Sequence, residues 1–221
     1  MADFATIADL KANLVLKATR GAVLVAPPTA SIPVAFTTGA TADLVAFTGF
    51  TSVGHIDKAA PPVFTPETES SVVEAWGVLE EVREDIIKRT LSVGYTPIET
   101  NKQVLEMYHN IDLSAVQADS VTKEVQISEP TAPASRTYRT IFLGIDGEPG
   151  KEIYFGRVLP RATVSEVAAQ NWTSDSAVSY PMTLKAKVDP VLGYASRLFF
   201  GGPGWADLVT DAGFTVGTGT P

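Results

Sequence analysis

The sequence contains no cysteine and only two histidines. The lack of cysteine excludes a disulfide framework, a thiolate metal site and a cysteine nucleophile. His55 and His109 have no other ligands at metal-binding spacing, so we expect a structural or solvent-exposed role for both. No glycine-rich nucleotide loop, zinc-protease motif or serine-hydrolase motif is present. The sequence therefore predicts that the protein is not an enzyme and takes no cofactor or metal.

Long apolar runs are also missing. The most apolar early segment, residues 21–36, is interrupted by Pro27, Pro28 and Pro33, and no stretch reaches the roughly 18 residues of a membrane helix. The first twenty residues lack the basic start and apolar centre of a secretion signal. We therefore expect a soluble protein made in the cytoplasm, with no membrane partner.

Basic residues are fewer than acidic ones, 17 against 25, which gives a formal net charge of −8. This balance argues against a surface that grips nucleic acid, because neutralising phosphates requires clustered Lys and Arg. It permits a surface along which nucleic acid slides without sticking. Ordinary solubility would also account for the charge.

Proline and glycine occur at short intervals, and runs rich in Val, Ile, Thr and aromatic residues lie between them. This pattern predicts a mainly β protein, a β-sandwich or barrel, in a single domain. One hairpin is expected through the turn "DGEPG", in which Asp146-Gly147 supplies the turn residues. The candidate strands are Asn13–Thr19, Gly21–Ala26, Thr51–Ile56, Thr122–Ser128, Arg136–Asp146, Lys151–Leu159, Met182–Asp189 and Ala195–Phe200.

One α-helix is predicted in "ETNKQVLEMYHN", residues 99–110. Thr100 or Asn101 can cap it, and Val104, Leu105 and Tyr108 form an apolar stripe.

The segment 67–89 is ambiguous between helix and strand. Apolar residues at helical spacing favour a helix, whereas Gly77 and many β-branched residues favour strands. The apolar residues at helical spacing are Val72, Ala75, Trp76, Leu79, Val82 and Ile86. The pattern alone leaves both interpretations open.

Four phrases occur in an order that is specific although each phrase is weak alone: "GAVLVAPPTASIP", "GFTSVGHIDKAAPPVFTPETESSVVEAWG", "VREDIIKRTLSVGYTPIETNKQVLEMYHN" and "KAKVDPVLGYASRLFFGGPGW". In this order the chain resembles the major tail tube proteins of long-tailed, non-contractile bacteriophages, especially those of actinobacterial hosts. The resemblance covers roughly residues 21–205. Lys58 and Ala59 depart from it, because a glycine-bearing turn is common there.

The resemblance implies a β-sandwich or barrel with one flanking α-helix and a long β-hairpin, the fold shared by phage tail tubes and type VI secretion tubes. It implies strands over Ser70–Trp76 and Val82–Tyr95, and a helix that begins near Glu99. The expected organisation is one tail-tube domain at residues 1–205, with an N-terminal arm of about 1–12, followed by a flexible tail at 206–221.

The resemblance also implies a structural virion protein. Six copies would form a ring, and rings would stack into a hollow tube that conducts double-stranded DNA into the host without sequence-specific binding. The expected partners are other copies of the chain, a tape-measure protein, a tail terminator and tail-tip proteins. The alternatives are a type VI-like secretion tube subunit and a β-sandwich binding module on a virion or cell surface.

Segment 67–89 holds seven acidic and three basic residues, half of the chain's net charge. If it lines the lumen of such a tube, its carboxylates would repel phosphate. The candidate lumen-facing residues are Glu74, Glu80, Glu81, Glu84 and Asp85. The candidate ring or stacking contacts are Pro62, Phe64, Trp76 and Trp205.

Overall fold

The computed structural model describes residues 3–132 and 135–217, which form a mainly β structure. The strands are β1 (Arg20–Ala26), β2 (Thr37–Thr38), β3 (Asp43–Leu44), β4 (Thr51–Ser52), β5 (Val63–Glu74), β6 (Glu81–Tyr95), β7 (Tyr138–Asp146), β8 (Ile153–Val167), β9 (Met182–Ala186) and β10 (Arg197–Gly201). The helices are α1 (Phe4–Ala8), α2 (Lys102–Tyr108) and α3 (Pro203–Leu208), with a 3-10 turn at Ala12–Leu14. The predicted fold class is confirmed.

Eight strands form one antiparallel sheet in the order β4-β1-β7-β8-β9-β6-β5, and β10 pairs with β8 outside this order. The long strand β8 organises the sheet. One edge of β8 pairs with β7, whereas its other edge pairs first with β10, over 154–158, and then with β9, over 162–167. The sheet therefore divides at β8 into two leaves.

Two apolar clusters cover the central strands. The larger cluster joins β1, β7 and β8 to β6, β9 and α2, with Val93, Leu159 and Leu184 fully buried. The smaller cluster lies around Phe36, from the segment before β2, and contains Ile141 and Val158. Strand β7 is buried along most of its length because both of its faces are covered, and its sequence is accordingly apolar nearly throughout.

Helix α2 confirms the predicted helix. Asn101 is its N-cap, and its side-chain oxygen accepts a hydrogen bond from the Val104 N–H at 2.9 Å. The buried face of α2 consists of Val104 and Met107, with Leu105 and Tyr108 partly buried. Met107 is thus a core residue that the predicted stripe omitted.

Residues 67–95 form strands, which confirms the interpretation from the resemblance over the helical pattern. Both boundaries of the first predicted strand are wrong, because β5 begins at Val63 and ends at Glu74, and Trp76 lies in the connecting turn. The second strand, β6, begins one residue earlier than predicted, at Glu81. In that turn the Val78 N–H donates to the Ala75 carbonyl, and Gly77 has a φ of 85°. A positive φ suits glycine and ends the extended conformation.

The predicted strand Asn13–Thr19 is wrong. Its start forms the 3-10 turn, and no partner strand lies beside the rest, because β7 ends at Asp146. The Asp146 carboxylate instead accepts a hydrogen bond from the Lys17 N–H at 2.6 Å. Regular pairing with β7 starts at Arg20.

The predicted strand Thr122–Ser128 is also wrong, and this segment is an irregular loop. The Asp119 carboxylate accepts hydrogen bonds from the N–H groups of Val121 and Thr122, and Lys123 has a φ of 62°. These local bonds satisfy the backbone without a neighbouring strand.

The predicted strand Thr51–Ile56 is shorter than expected. Only Thr51–Ser52 pairs with β1, and Ile56 forms an isolated bridge to Pro97. Between them Gly54 has a φ of 84°, which breaks the strand. The predicted hairpin through "DGEPG" is confirmed, since β7 and β8 pair on both sides of it.

The predicted division into a domain at 1–205 and a flexible tail stays a prediction. Helix α3 extends across residue 205, and Asp211 accepts hydrogen bonds from the side chains of Lys11 and Asn13. Residues 1–2 of the predicted arm and 218–221 of the predicted tail lie outside the described residues.

Candidate functional site

The hairpin of β5 and β6 extends beyond the rest of the sheet. Strand β6 pairs with β9 only over Ser92–Tyr95, so residues 66–91 pair only within the hairpin. Nearly every side chain of this part is exposed on both faces. Nine residues of β5 at about 3.3 Å each give an arm of roughly 30 Å.

Two register shifts decide which side chains share a face of the arm. They lie between Glu69 and Ser70 and between Val73 and Glu74, where β6 contains the extra residues Ile87 and Val82. The shift at Val82 places Glu81 and Glu84, which are three residues apart, on the same face. The adjacent Glu84 and Asp85 point to opposite faces, as consecutive residues of any strand do.

One face of the arm, the paired face, carries two ion pairs and Glu67, whose carboxylate accepts a hydrogen bond from the Thr90 hydroxyl. The Lys88 ammonium contacts the Glu69 carboxylate at 2.7 Å, and the Arg83 guanidinium contacts that of Asp85 at 2.6 Å. The hydrogen bond and the charge of Lys88 lower the pKa of Glu69. These pairs are exposed, so they organise the surface and contribute little to stability.

The other face, the acidic face, carries Glu74, Glu81 and Glu84 and, nearer the base of the arm, Arg89 opposite Thr68. Glu74 lies directly opposite Glu81, and Glu84 lies opposite Val72. None of the three carboxylates forms an ion pair with any described residue. Like charges opposite each other repel, so an isolated hairpin gains nothing from this arrangement.

The five predicted lumen residues thus fall into three places. Glu74, Glu81 and Glu84 share the acidic face, Asp85 is neutralised on the paired face, and Glu80 lies in the turn. The sequence alone could not separate them, because the register depends on the two bulges.

The turn at the end of the arm, residues 75–80, is called the apex. Trp76 is 105% exposed and Leu79 is 107% exposed, so neither side chain is covered by its own chain. Trp76 was singled out from the sequence, but Leu79 was missed as an exposed residue, since its spacing suggested a helix face.

The remaining predicted contact residues are partly buried. Phe64 packs edge-on against Phe142 with ring centroids 5.1 Å apart, and Pro62 is nearby in sequence. Trp205 lies 5.2 Å from Phe200, centroid to centroid. Apart from Trp76, these aromatic residues already have intramolecular contacts.

A groove of about 1200 Å³ lies beside Pro62 and Phe64, on the face of the sheet away from the Phe36 cluster. The register places two rows of residues on its floor, and each row contains one residue from each of β1, β7, β8 and β10. The rows are Gly21, Gly144, Phe155 and Phe200, and Val23, Phe142, Arg157 and Leu198. Gly21 and Gly144 are paired and lack side chains, and the Phe155 ring lies over Gly144.

Arg157 is the cation of this floor. Its guanidinium lies 4.6 Å from the centroid of the Phe64 ring, and it forms no ion pair with any carboxylate among the described residues. Its Nε atom is buried without a hydrogen-bond partner, and burial lowers the pKa of Arg157. No motif or spacing in the sequence indicated a role for this residue.

Both histidines contact a carboxylate. His55 contacts Glu99, and the hydrogen bonds from His55 lower the pKa of the Glu99 carboxyl. His109 Nδ1 lies 2.6 Å from the Glu129 carboxylate. Among residues 3–132 and 135–217, no group of three His, Asp or Glu side chains could hold a metal. No helix in the same part of the chain is both long and apolar enough to span a membrane.

The family model described as "Phage tail tube protein" matches residues 8–190. The chain belongs to the phage tail tube protein family. The matched range contains the protruding hairpin, the groove floor on β1, β7 and β8, and α2. The family member described here is accordingly a structural protein of the virion tail.

Further comparisons add little. The chain is similar to a solved structure titled "Virion of native gene transfer agent (GTA) particle", with 11% identity and a TM-score of 0.32, over 68% of this chain and 88% of that one. At so low a TM-score this likeness carries no argument. No curated protein matches the chain.

Proposed function

We propose that six copies of this tail tube protein form a ring and that the rings stack into a hollow tube. Genomic DNA passes through this tube into the host during ejection. The observation that carries the proposal is the β5–β6 arm, which is exposed on both faces and joined to the sheet only at its base. A two-stranded ribbon of this kind is marginal in water unless something covers it.

The free edge of β5 supports ring closure. Within residues 3–132 and 135–217, the twelve residues of β5 pair only with β6, so the other edge presents unpaired N–H and C=O groups. Such an edge is a template for pairing with another chain. A closed ring of copies removes the edge, because each β5 obtains a neighbour.

The acidic face supports a position toward the lumen. Its carboxylates Glu74, Glu81 and Glu84 have no cationic partners within the described chain, unlike the ion-paired carboxylates of the paired face. Repeated around a ring, they would repel the phosphates of passing DNA. A basic wall would retain the DNA through counterion release.

The proposal extends to the partners that the family implies. The tube would assemble around a tape-measure protein, inside the cytoplasm of the host bacterium, and would be closed by tail terminator and tail-tip proteins. The narrower assignment, to a long-tailed non-contractile phage of an actinobacterial host, belongs to this proposal. So do the lack of enzymatic activity and a C-terminal tail, 206–221, that orders on assembly.

Electron microscopy of the purified protein tests the proposal. We expect hollow tubes with a regular axial repeat and six-fold end views after concentration and prolonged incubation. Particles that stay dispersed under these conditions, or rings of another order, would contradict it. An unrelated acidic protein of similar mass, treated in the same way, controls for concentration-induced aggregation.

A further inference from the structure

The groove and the apex are two uncovered surfaces on the same molecule. The apex presents Trp76 and Leu79 fully to solvent, together with the carboxylate of Glu80. The groove presents partly exposed apolar side chains, with Leu198 at 54% and Phe200 at 47%. Apolar patches of this kind on one chain mark contact sites.

Their charges are complementary. Among the acidic and basic residues of 74–81 there are three glutamates and no cation. The groove is lined by three cations, Arg20, Lys58 and Arg157, against two carboxylates, Asp57 and Glu99. The Arg157 guanidinium has no carboxylate partner among the described residues and is partly withdrawn from water. A partly buried cation of this kind gains from a carboxylate supplied by another molecule.

The arm is long enough to reach another copy. A folded chain of 221 residues has a radius of gyration of about 17 Å. The arm extends roughly 30 Å at strand spacing. The exposure of Trp76 and Leu79 shows that the apex does not occupy the groove of its own chain.

We propose that the apex of one copy docks in the groove of a second copy, with Trp76 and Leu79 on the apolar floor and Glu80 against Arg157. The contact is head to tail, because each copy offers one apex and one groove, and such contacts propagate into rings or filaments. The inference rests on the proposed tube, and it names the two surfaces that join its subunits.

The absence of cysteine permits a direct test. One chain carries Leu79→Cys and another carries Leu198→Cys; both positions are exposed, so neither substitution should disturb folding. The two chains are mixed, assembled and oxidised. We expect a disulfide-linked dimer as the main product. The matched control mixes Trp172→Cys with Leu198→Cys, because Trp172 is also exposed. This mixture should give at least tenfold less disulfide-linked dimer.

A charge exchange tests the polar half of the contact. Arg157→Glu should prevent assembly, and Glu80→Arg in the same chain should restore it. Arg197→Glu, on the neighbouring strand and opposite face, is the control and should leave assembly unchanged. Circular dichroism of each variant reports whether the chain is folded, and only folded variants are compared.

The outcomes separate this inference from the proposed function. The inference and the proposed function are both supported if tubes form with the cross-link between the cysteines at positions 79 and 198 and if the charge exchange restores assembly. Tubes that form without that cross-link, or folded Arg157→Glu protein that still assembles, overturn the inference and leave the tube intact. Failure of the unsubstituted chain to assemble at all contradicts the proposed function, and the inference falls with it.

Discussion

At the residue scale, close packing and buried polar atoms decide which substitutions the fold tolerates. Gly156 on β8 and Gly94 on β6 are both strand glycines with ordinary φ values, but their surroundings differ. A Cβ atom on Gly156 would contact the Phe36 ring and lie 2.7 Å from the Phe142 carbonyl oxygen. A Cβ atom on Gly94 would have its nearest neighbour at 3.8 Å.

Gly156→Ala should therefore destabilise the protein, since the backbone oxygen of Phe142 cannot move away alone. We expect a loss of about 1–3 kcal/mol in the free energy of unfolding. Gly94→Ala is the matched control and should be neutral or slightly stabilising, by about 0.5 kcal/mol, because alanine has less backbone entropy to lose. Urea unfolding of both variants measures the difference, and equal midpoints would contradict the packing argument.

Tyr95 gives a pH-dependent prediction. Its hydroxyl is buried without a hydrogen-bond partner, and burial raises its pKa above the ordinary value. The phenol is therefore harder to ionise in the folded state. The stability tied to this shift is present below the unfolded pKa of about 10 and is lost as the pH rises above it.

Tyr95→Phe should be at least as stable as the parent at pH 7, because it removes an unsatisfied buried hydroxyl that costs about 1–3 kcal/mol. It should also lose less stability than the parent between pH 9 and pH 11. Urea midpoints across this range measure both effects. An unchanged alkaline slope in the variant would show that Tyr95 does not titrate with unfolding.

At the element scale, tertiary contacts decide where each strand and helix begins and ends. Helix α2 is short, and its N-cap residue Asn101 also ties it to the preceding loop. The Asn101 side chain accepts a hydrogen bond from the Val104 N–H at 2.9 Å and donates one to the Val53 carbonyl at 3.0 Å. The cap therefore connects α2 to the core around Val53.

Asn101→Ala should lower the free energy of unfolding by about 1–2 kcal/mol, since it removes the cap. Asn101→Asp retains the accepting oxygen but loses the donor to Val53, so it should fall between the parent and the alanine variant. Chemical denaturation of the three proteins gives this order. If the aspartate variant is as unstable as the alanine variant, the loss of stability comes from the missing hydrogen bond to the Val53 carbonyl and not from the missing cap.

At the scale of the whole molecule, the division of charge between the two faces of the arm has a functional consequence. The acidic face has unpaired carboxylates, whereas the paired face has ion pairs. Only the acidic face would then act on DNA in the lumen. A long-range charge effect of this kind is screened by salt, with a Debye length of about 8 Å at physiological ionic strength.

The triple variant Glu74→Lys, Glu81→Lys and Glu84→Lys should leave tubes intact and slow DNA ejection several-fold, because phosphates adhere to a basic wall. The matched control carries Glu67→Lys, Glu69→Lys and Asp85→Lys on the paired face, with the same change in charge. The rate of DNA release from virions, followed with a DNA-binding dye, compares the two. Equal rates would show that the acidic face does not meet the DNA.

The sequence by itself determined the mainly β fold class and helix α2, because turn residues and local propensity act over a few positions. It left the cap open between Thr100 and Asn101, and the structure selects Asn101. The family resemblance predicted the strands of the arm, where local helix propensity favoured a helix. Tertiary pairing overrode that propensity, since β6 is anchored to β9 at Ser92–Tyr95.

Tertiary structure alone decided the functional surfaces. The bulge at Val82 placed Glu81 and Glu84, which are three residues apart, on one face, and a one-residue shift of register cannot be read from composition. The groove floor brings together Gly21 with Gly144 and Phe142 with Arg157, pairs that only the sheet register creates. The predictions of strands at Asn13–Thr19 and Thr122–Ser128 were wrong because a strand requires a neighbouring strand, and only the folded chain supplies one.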